Sequence, residues 1–191
     1  MKTIVWDVDD VLNNLMGDWF EEWCSFNRHC TLDYNNIISN PPHELLKISL
    51  EEYKSSLDDF RIKKLGDLEP VPEILTWFQL NGNKYCHIAL TAVPIATSHI
   101  SAGWVFKNFG TWIRSFNIIP SPRNTDIPVQ YHQTKKEFLG WVNKGDILID
   151  DNIFNIEGAN ELGMKTLLFP RPWNNPTYTI SQALQNLTEL I

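Results

Sequence analysis

The sequence predicts an α/β protein of the doubly wound kind, a parallel sheet between two layers of helices, interrupted once by a helical insertion. Three observations lead there. Short runs rich in β-branched and aromatic residues recur at 3–6, 85–90, 116–119, 146–149 and 165–169, and segments of helical periodicity separate them. Residues 13–69 carry helix signals without a strand run. Finally, three of the runs end in carboxylates or threonine, at the strand ends where open α/β sheets gather their ligands.

Each element has its own local justification. Residues 3–6 form a buried strand too short for a helix, and Asp7 stands where it stops. Leu12, Leu15, Met16, Trp19, Phe20, Trp23 and Phe26 then follow at steps of three and four, giving an amphipathic helix over 12–26 with an aromatic face. Asn40, Pro41 and Pro42 break the chain, and Ser49 with Glu52 has the spacing of a capping box for a helix running to about 57–60. Pro72 opens a helix carrying Ile74, Leu75, Trp77 and Phe78, and Gly82 is placed to end it. The strand over 85–90 ends at Thr91, and a helix through Trp104, Val105, Phe106 and Phe109 reaches Gly110. After the strand at 116–119, Pro120, Pro122 and Pro128 make a long loop to about Gln133. Thr134 and Glu137 have the spacing of a second capping box, before a helix with Phe138, Leu139, Trp141 and Val142. The strand at 146–149 runs straight into Asp150 and Asp151. Gly163 precedes the last strand, and the turn-rich 170–176 leads to a helix through Ala183, Leu184 and Leu187.

Composition narrows the partners. At 191 residues, 43% hydrophobic and 20% charged, the chain has the profile of an ordinary soluble protein with room for a substantial core. A net charge of −7 and a pI near 5.2 argue against a nucleic-acid polymer or an anionic membrane as partner. No apolar run approaches the roughly 18 residues of a membrane span, and Asp7 comes too early for a secretory leader, so the expected location is the cytoplasm. Cys24, Cys30 and Cys86 lack C-x-x-C spacing and are expected to be reduced thiols, with His29 beside Cys30 a poor zinc signal.

The chemistry collects at the predicted strand ends. Asp7 and Asp9, two residues apart on extended backbone, point to one side. Such a pair suits a hard cation and an anionic substrate: one carboxylate stays ionised beside Mg²⁺ and attacks phosphorus, and the other gives a proton to the leaving oxygen. Thr91, Asp150 and Asp151 join them on the edge of a parallel sheet, and Lys135 or Lys136 supplies the cation at the start of a helix. Asp10 reads as a helix-start residue, and Arg171 as a surface residue.

Taken in order, Asp7-Val8-Asp9-Asp10-Val11, Ile88-Ala89-Leu90-Thr91, a lysine at 135 or 136, and Ile147-Leu148-Ile149-Asp150-Asp151 resemble the motif set of the haloacid dehalogenase superfamily of phosphohydrolases. The resemblance implies a three-layer, Rossmann-like α/β/α core from residues 1–12 and 70–191, strand order 5-4-1-2-3, and a helical cap from 13–69. It implies Asp7 as the nucleophile that forms an aspartyl-phosphate and Asp9 as general acid and then base. It further implies a Mg²⁺ site from the Asp7 carboxylate, the Asp9 carbonyl and the pair Asp150 and Asp151, with Asp151 in direct contact and Asp150 acting through water. Thr91, the Ala92 amide and Lys135 would hold the phosphoryl oxygens, Lys135 being preferred because it sets Phe138 and Leu139 in register with the family pattern. Because a phosphate ester needs a proton donor and a halide does not, Asp9 favours phosphatase over dehalogenase chemistry.

A narrower resemblance is to deoxyribonucleotidases. It rests on the insertion, on Trp19, Phe20 and Trp23 as rings for a nucleobase, on the acidic pair, and on Phe169-Pro170-Arg171-Pro172-Trp173-Asn174. It makes a nucleoside monophosphate the leading substrate among small phosphorylated metabolites. Sugar phosphates are the alternative, and a non-catalytic regulatory protein on the same fold is the reading from a different class. Asn152 and the spacing from the lysine to Asp150 depart from the better-known members.

Overall fold

The computed structural model describes residues 1–27, 30–123, 126, 127, 129–143 and 145–190. His29 and Pro128, singled out above as a weak zinc signal and a loop former, lie outside the described residues. Five strands, β1 (Thr3–Trp6), β2 (Cys86–Val93), β3 (Ile113–Pro120), β4 (Ile147–Asp150) and β5 (Lys165–Leu168), form one all-parallel sheet in the order β3-β2-β1-β4-β5. That is the predicted order, with β1 at the centre.

The sheet is buried on both faces, as a parallel sheet must be. Alternate residues sort themselves by the two-residue period of a strand. Ile4, Trp6, Ile147 and Ile149 pack against α3 (Pro72–Asn81), α4 (Ile95–Phe109) and α7 (Ile180–Leu190). Val5, Leu90 and Leu148 face α5 (Lys135–Val142) and α6 (Ile153–Glu161) through Phe138, Leu139 and Ala159. A separate cluster lies within the insertion, where Leu15, Met16, Trp19 and Phe20 of α1 (Leu15–Phe26) meet Tyr53, Leu57 and Phe60 of α2 (Leu50–Lys64), with Ile37 and Leu46 between.

Several boundaries move for identifiable reasons. α1 begins at Leu15 rather than Leu12, because residues 7–14 are folded into a turn in which Asp10 adopts φ 63° and the Asn13 side chain accepts from the amides of Asp10 and Leu15. Asp10 still serves the helix, accepting the Met16 amide at 2.9 Å from six residues upstream. β2 runs past Thr91 to Val93 because the edge strand β3 is longer than its apolar run and pairs with it as far as Pro120. Gly82 follows α3 with φ −55°, so its role is room rather than left-handed backbone: a Cβ there would stand 2.5 Å from the Trp112 ring. Gly163, at φ 76°, does use the conformation that favours glycine just before β5.

Both predicted capping residues act. Ser49 and Glu52 complete a reciprocal box. Thr134 accepts the Glu137 amide, but the Glu137 carboxylate reaches the amide of Gln133, one residue earlier than a box requires. Asp150 and Asp151 do not cap α6. That task falls to Asn152, whose side chain accepts from the Phe154 amide.

The cysteine expectation is overturned. Cys24 and Cys30 form a disulfide, and only Cys86 among the three is free. The end of α1 turns back at Asn27, whose carbonyl accepts the Cys30 amide, and this brings the two Cα atoms to 5.3 Å, inside the range a disulfide spans. Among the described residues no helix is long and apolar enough to cross a membrane.

Deep in the larger cluster, Trp6 Nε1 donates to His87 Nδ1 at 3.0 Å, and His87 Nε2 meets the Gly82 carbonyl at 2.8 Å. The indole can only donate, so His87 is held neutral with its proton on Nε2. Burial pushes its pKa down, against the opposing hydrogen bond to Gly82. A base with a depressed folded pKa leaves the unfolded chain holding more protons in acid, so its stabilising contribution is present above the unfolded value and shrinks as pH falls below about 6.5. His87→Phe is expected to lower stability at neutral pH by about 1–3 kcal/mol through the unpaired Trp6 and Gly82 groups, and to flatten the acid-side decline. Urea unfolding at a series of pH values measures both.

Candidate active site

The carboxyl ends of β1, β2 and β4 lie side by side, and each delivers what its sequence promised. Asp7 leaves β1 with its amide bonded to the Ile149 carbonyl, so the chain is still in sheet register when its carboxylate emerges. Asp150 closes β4 and Asp151 follows it. One oxygen from each of Asp7, Asp150 and Asp151 lies within 4.8 Å of the others, and all three residues are buried. Thr91 and Ala92, at the end of β2, line the same cavity of about 310 Å³.

Lys135 begins α5, and its ammonium is inserted between the two strand ends, 2.7 Å from Asp7 Oδ1 and 2.7 Å from Asp150 Oδ2. Its side chain is 1% exposed. Burial alone would lower its pKa, but Asp150 and Asp7 outweigh that and raise it. Lys136, the other candidate, is partly exposed and pairs with Glu161 on α6. The choice between the lysines is thus made by helical geometry, which turns the first residue of α5 inward and the second outward.

The acidic cluster is only partly neutralised. Burial, with Asp150 and Asp151 adding repulsion, raises the Asp7 pKa well above the usual carboxylate range, and Lys135 opposes it. Asp151 is pushed up to about 7 by burial, then by Asp150 and Asp10. Buried oxygen ligands in negative excess are the donor set of a hard divalent cation, whose opposite ligands stand up to about 5 Å apart. The residues fit such an ion. Within the set, Asp150 is the most heavily bonded, taking Lys135, the Asn152 amide and the Asn155 side chain. Asp151 receives Trp173 Nε1 at 2.8 Å on Oδ2, which leaves Oδ1 without a donor among the described residues.

Asp9 stands apart from this cluster. Its Oδ2 accepts from Arg61 Nη2 at 3.0 Å, and Asn13 Nδ2 approaches Oδ1 at 3.3 Å. Arg61 comes from α2 of the insertion, and with Lys54, Tyr53 and Leu57 it lines the cavity. Arg123, in the loop after β3, forms a two-point pair with Asp58 of α2 at 2.5 and 2.7 Å. Periodicity could have flagged only that Lys54, Asp58 and Arg61 share a helix face. No motif marks Arg61 or Arg123.

Arg171 is not a surface residue. It is 7% exposed, and its guanidinium donates to the Asp10 carbonyl at 2.5 Å, the Asn13 carbonyl at 2.9 Å and the Asn14 side chain at 2.8 Å. The 7–14 turn leaves these acceptors inside, and a planar five-donor head is the side chain able to meet them together. Trp19 and Phe20 lie in the core of the insertion, and Trp23 lines two hollows of about 460 and 700 Å³ that include none of the site aspartates.

No protein-family model matches the sequence, and no curated protein matches it. Among solved structures, the chain is similar over 100% of its length to 99% of a haloacid dehalogenase-like hydrolase from Streptococcus pneumoniae, at 15% identity and a TM-score of 0.64. It is similar over 100% of its length to 97% of a haloacid dehalogenase superfamily hydrolase of subfamily IA from Geobacter sulfurreducens, at 11% identity and 0.57. A protein described as a predicted phosphatase from Clostridium acetobutylicum matches at 12% identity and 0.56, covering 98% of each chain. The chain has the haloacid dehalogenase-like fold.

Replacing Lys135 by methionine leaves two buried carboxylates without their cation. Lys135→Met is expected to lower unfolding free energy by about 3–5 kcal/mol, read by denaturant titration in a chelating buffer.

Proposed function

We propose that the protein is a Mg²⁺-dependent phosphatase that hydrolyses a small phosphate monoester through a phosphorylated Asp7. The observation that carries this reading is the meeting of Asp7, Asp150, Asp151 and Lys135 at one rim of the sheet, from segments more than a hundred residues apart. Asp7 Oδ1 is occupied by Lys135 and the Val8 amide, so Oδ2 is the oxygen free to attack. In the first step Asp7 Oδ2 bonds to phosphorus, the bond to the ester oxygen breaks, and Asp9 passes a proton to that oxygen. In the second, Asp9 takes a proton from water, the resulting hydroxide attacks phosphorus, and phosphate leaves Asp7 as it was.

Lys135 and the Thr91 and Ala92 segment hold the phosphoryl oxygens, opposing the charge that spreads over them in transfer. The divalent ion would lie among Asp7, Asp151 and the Asp9 carbonyl, with Asp150, already saturated by protein donors, acting through water. When bound it supplies neutralisation of the phosphoryl group beside an ionised nucleophile. Asn13 and Arg61 fix the Asp9 carboxyl between the phosphoryl end and the insertion. Among esters, a nucleoside monophosphate would need a ring to stack on. Tyr53 is the aromatic side chain among the described lining residues, and it is spent edge-on against Trp19.

Wild-type protein is expected to hydrolyse p-nitrophenyl phosphate with Mg²⁺ and not with chelator, and Asp7→Asn to abolish turnover while melting normally. Asp9→Asn should slow an alkyl phosphate by about 10²–10⁴, and the aryl ester less, because nitrophenolate leaves without a proton. Undiminished activity in Asp7→Asn, or equal losses in kcat/KM on both esters in Asp9→Asn, contradicts the assigned roles.

A further inference from the structure

Arg61 is 6% exposed, yet its Nε lies buried without an acceptor. Its other nitrogens reach Asp58 at 3.1 Å and Asp9 at 3.0 Å. Asp58 is itself shared, since Arg123 grips both its oxygens. Lys54, two helical turns before Arg61 and half-buried, faces the same cavity. Among the described residues of this wall, three cations, Lys54, Arg61 and Arg123, therefore stand with two carboxylates, Asp9 and Asp58. One of the two, Asp9, belongs to the proton transfer. A buried guanidinium with an unused donor costs stability unless something else accepts from it.

The phosphoryl end has no need of that wall. Its oxygens are served from the core by Lys135, Thr91 and Ala92, whereas Arg61 and Lys54 come from the insertion, beyond Asp9. The group that meets them is the one Asp9 protonates, the leaving group. We propose that the leaving group carries a carboxylate that docks on Arg61 with Lys54 beside it, so that the substrate is a small phosphorylated carboxylic acid. The inference rests on the phosphatase reading for where the phosphoryl group sits and goes beyond it in naming the substrate class.

Two further observations favour a carboxylate over other leaving groups. The cavity, about 310 Å³, is at the small end for ligand sites. Moreover, each terminal nitrogen of Arg61 already meets a carboxylate by a single charge-assisted bond, Asp58 at one and Asp9 at the other, so a carboxylate is the kind of group this guanidinium holds. A second phosphate is the other source of negative charge, and the test separates the two.

Calorimetric titration with phosphonates, which are not turned over, reads the wall independently of hydrolysis. In the presence of Mg²⁺, phosphonopropanoate is expected to bind wild type about tenfold or more tighter than the isosteric 3-methylbutylphosphonate. Arg61→Gln should bring the two to within about twofold of each other, and Lys54→Met should narrow the gap in part. Thermal melts verify folding, and if Arg61→Gln does not fold, the half-buried Lys54 variant decides. Equal affinities in wild type, a gap that survives in the folded variants, tighter binding of ethylene bisphosphonate, or binding of none of the three would overturn the proposal. Failure here together with intact hydrolysis of the aryl ester refutes the substrate class alone. Loss of hydrolysis with the carboxylate preference intact refutes the reaction instead.

Discussion

The ammonium of Lys135 between Asp7 and Asp150 is the contact on which the rest of the structure depends. Three buried carboxylates meet at one sheet edge, and burial, with repulsion from Asp150, penalises the charged forms of Asp7 and Asp151. A single cation inserted from α5 makes the arrangement tolerable without quenching it, since Asp151 Oδ1 is left without a donor among the described residues. A buried ion pair of this kind contributes little net stability compared with an apolar substitute. It persists because it fixes where the carboxylates point. The sheet topology follows the same demand: β1 and β4 are adjacent, so Asp7 and Asp150 emerge at neighbouring strand ends, and α5 enters directly above both.

Around that contact, the segment after β5 acts as a clamp. Arg171 holds the 7–14 turn through two backbone carbonyls, Trp173 donates to Asp151, and Asn174 donates to the Asp151 and Phe169 carbonyls. One short stretch thereby fixes both acidic loops relative to each other. Asp10, at positive φ and with its pKa pushed up to about 7 by burial, sits under Arg171, whose charge opposes that rise. The same stretch touches the insertion through the edge-on contact of Trp173 with Tyr34. Loops that would otherwise be mobile are in this way built into the rigid part of the molecule.

What could be read from the sequence follows from range. β1, with Asp7 at its end, is legible because a four-residue apolar run and the carboxylate after it are neighbours in the chain. Ser49 and Thr134 announce their helices because a cap bonds three residues away. The preference for Lys135 over Lys136 comes from the resemblance, through the register of Phe138 and Leu139 with the family pattern. Strand order came from the motif resemblance, since nothing in a single strand states its neighbour. The partners that close over long distance leave no local mark: Arg171 with Asn13 spans 158 positions, and Arg61 with Asp9 spans 52. The Cys24–Cys30 bridge was hidden differently. Its six-residue separation is no recognised motif, and only the turn at Asn27 makes it geometrically possible.

The division between sheet edge and insertion explains why Lys54 and Arg61, which line the cavity from α2, are the illegible residues. At the edge, backbone register dictates position, and the ion pairs of Lys135 with Asp7 and Asp150 tie the residue types to one another, so the strand ends have little freedom. α2 is under no such constraint. Its inner face is anchored by Tyr53, Leu57 and Phe60 in a hydrophobic cluster of its own, so exchanging Lys54, Asp58 or Arg61 leaves that cluster's apolar contacts in place. The wall that α2 places over Asp7 and Asp9 can therefore be rewritten without disturbing the sheet. Arg61 shows how the two parts are still connected, for the guanidinium that pairs with Asp58 on its own helix also holds Asp9 at the rim of the sheet. On the proposed reading, a group that engages Arg61 would act on Asp9 through the same side chain, so that recognition of the leaving group and its departure would be coupled by one residue.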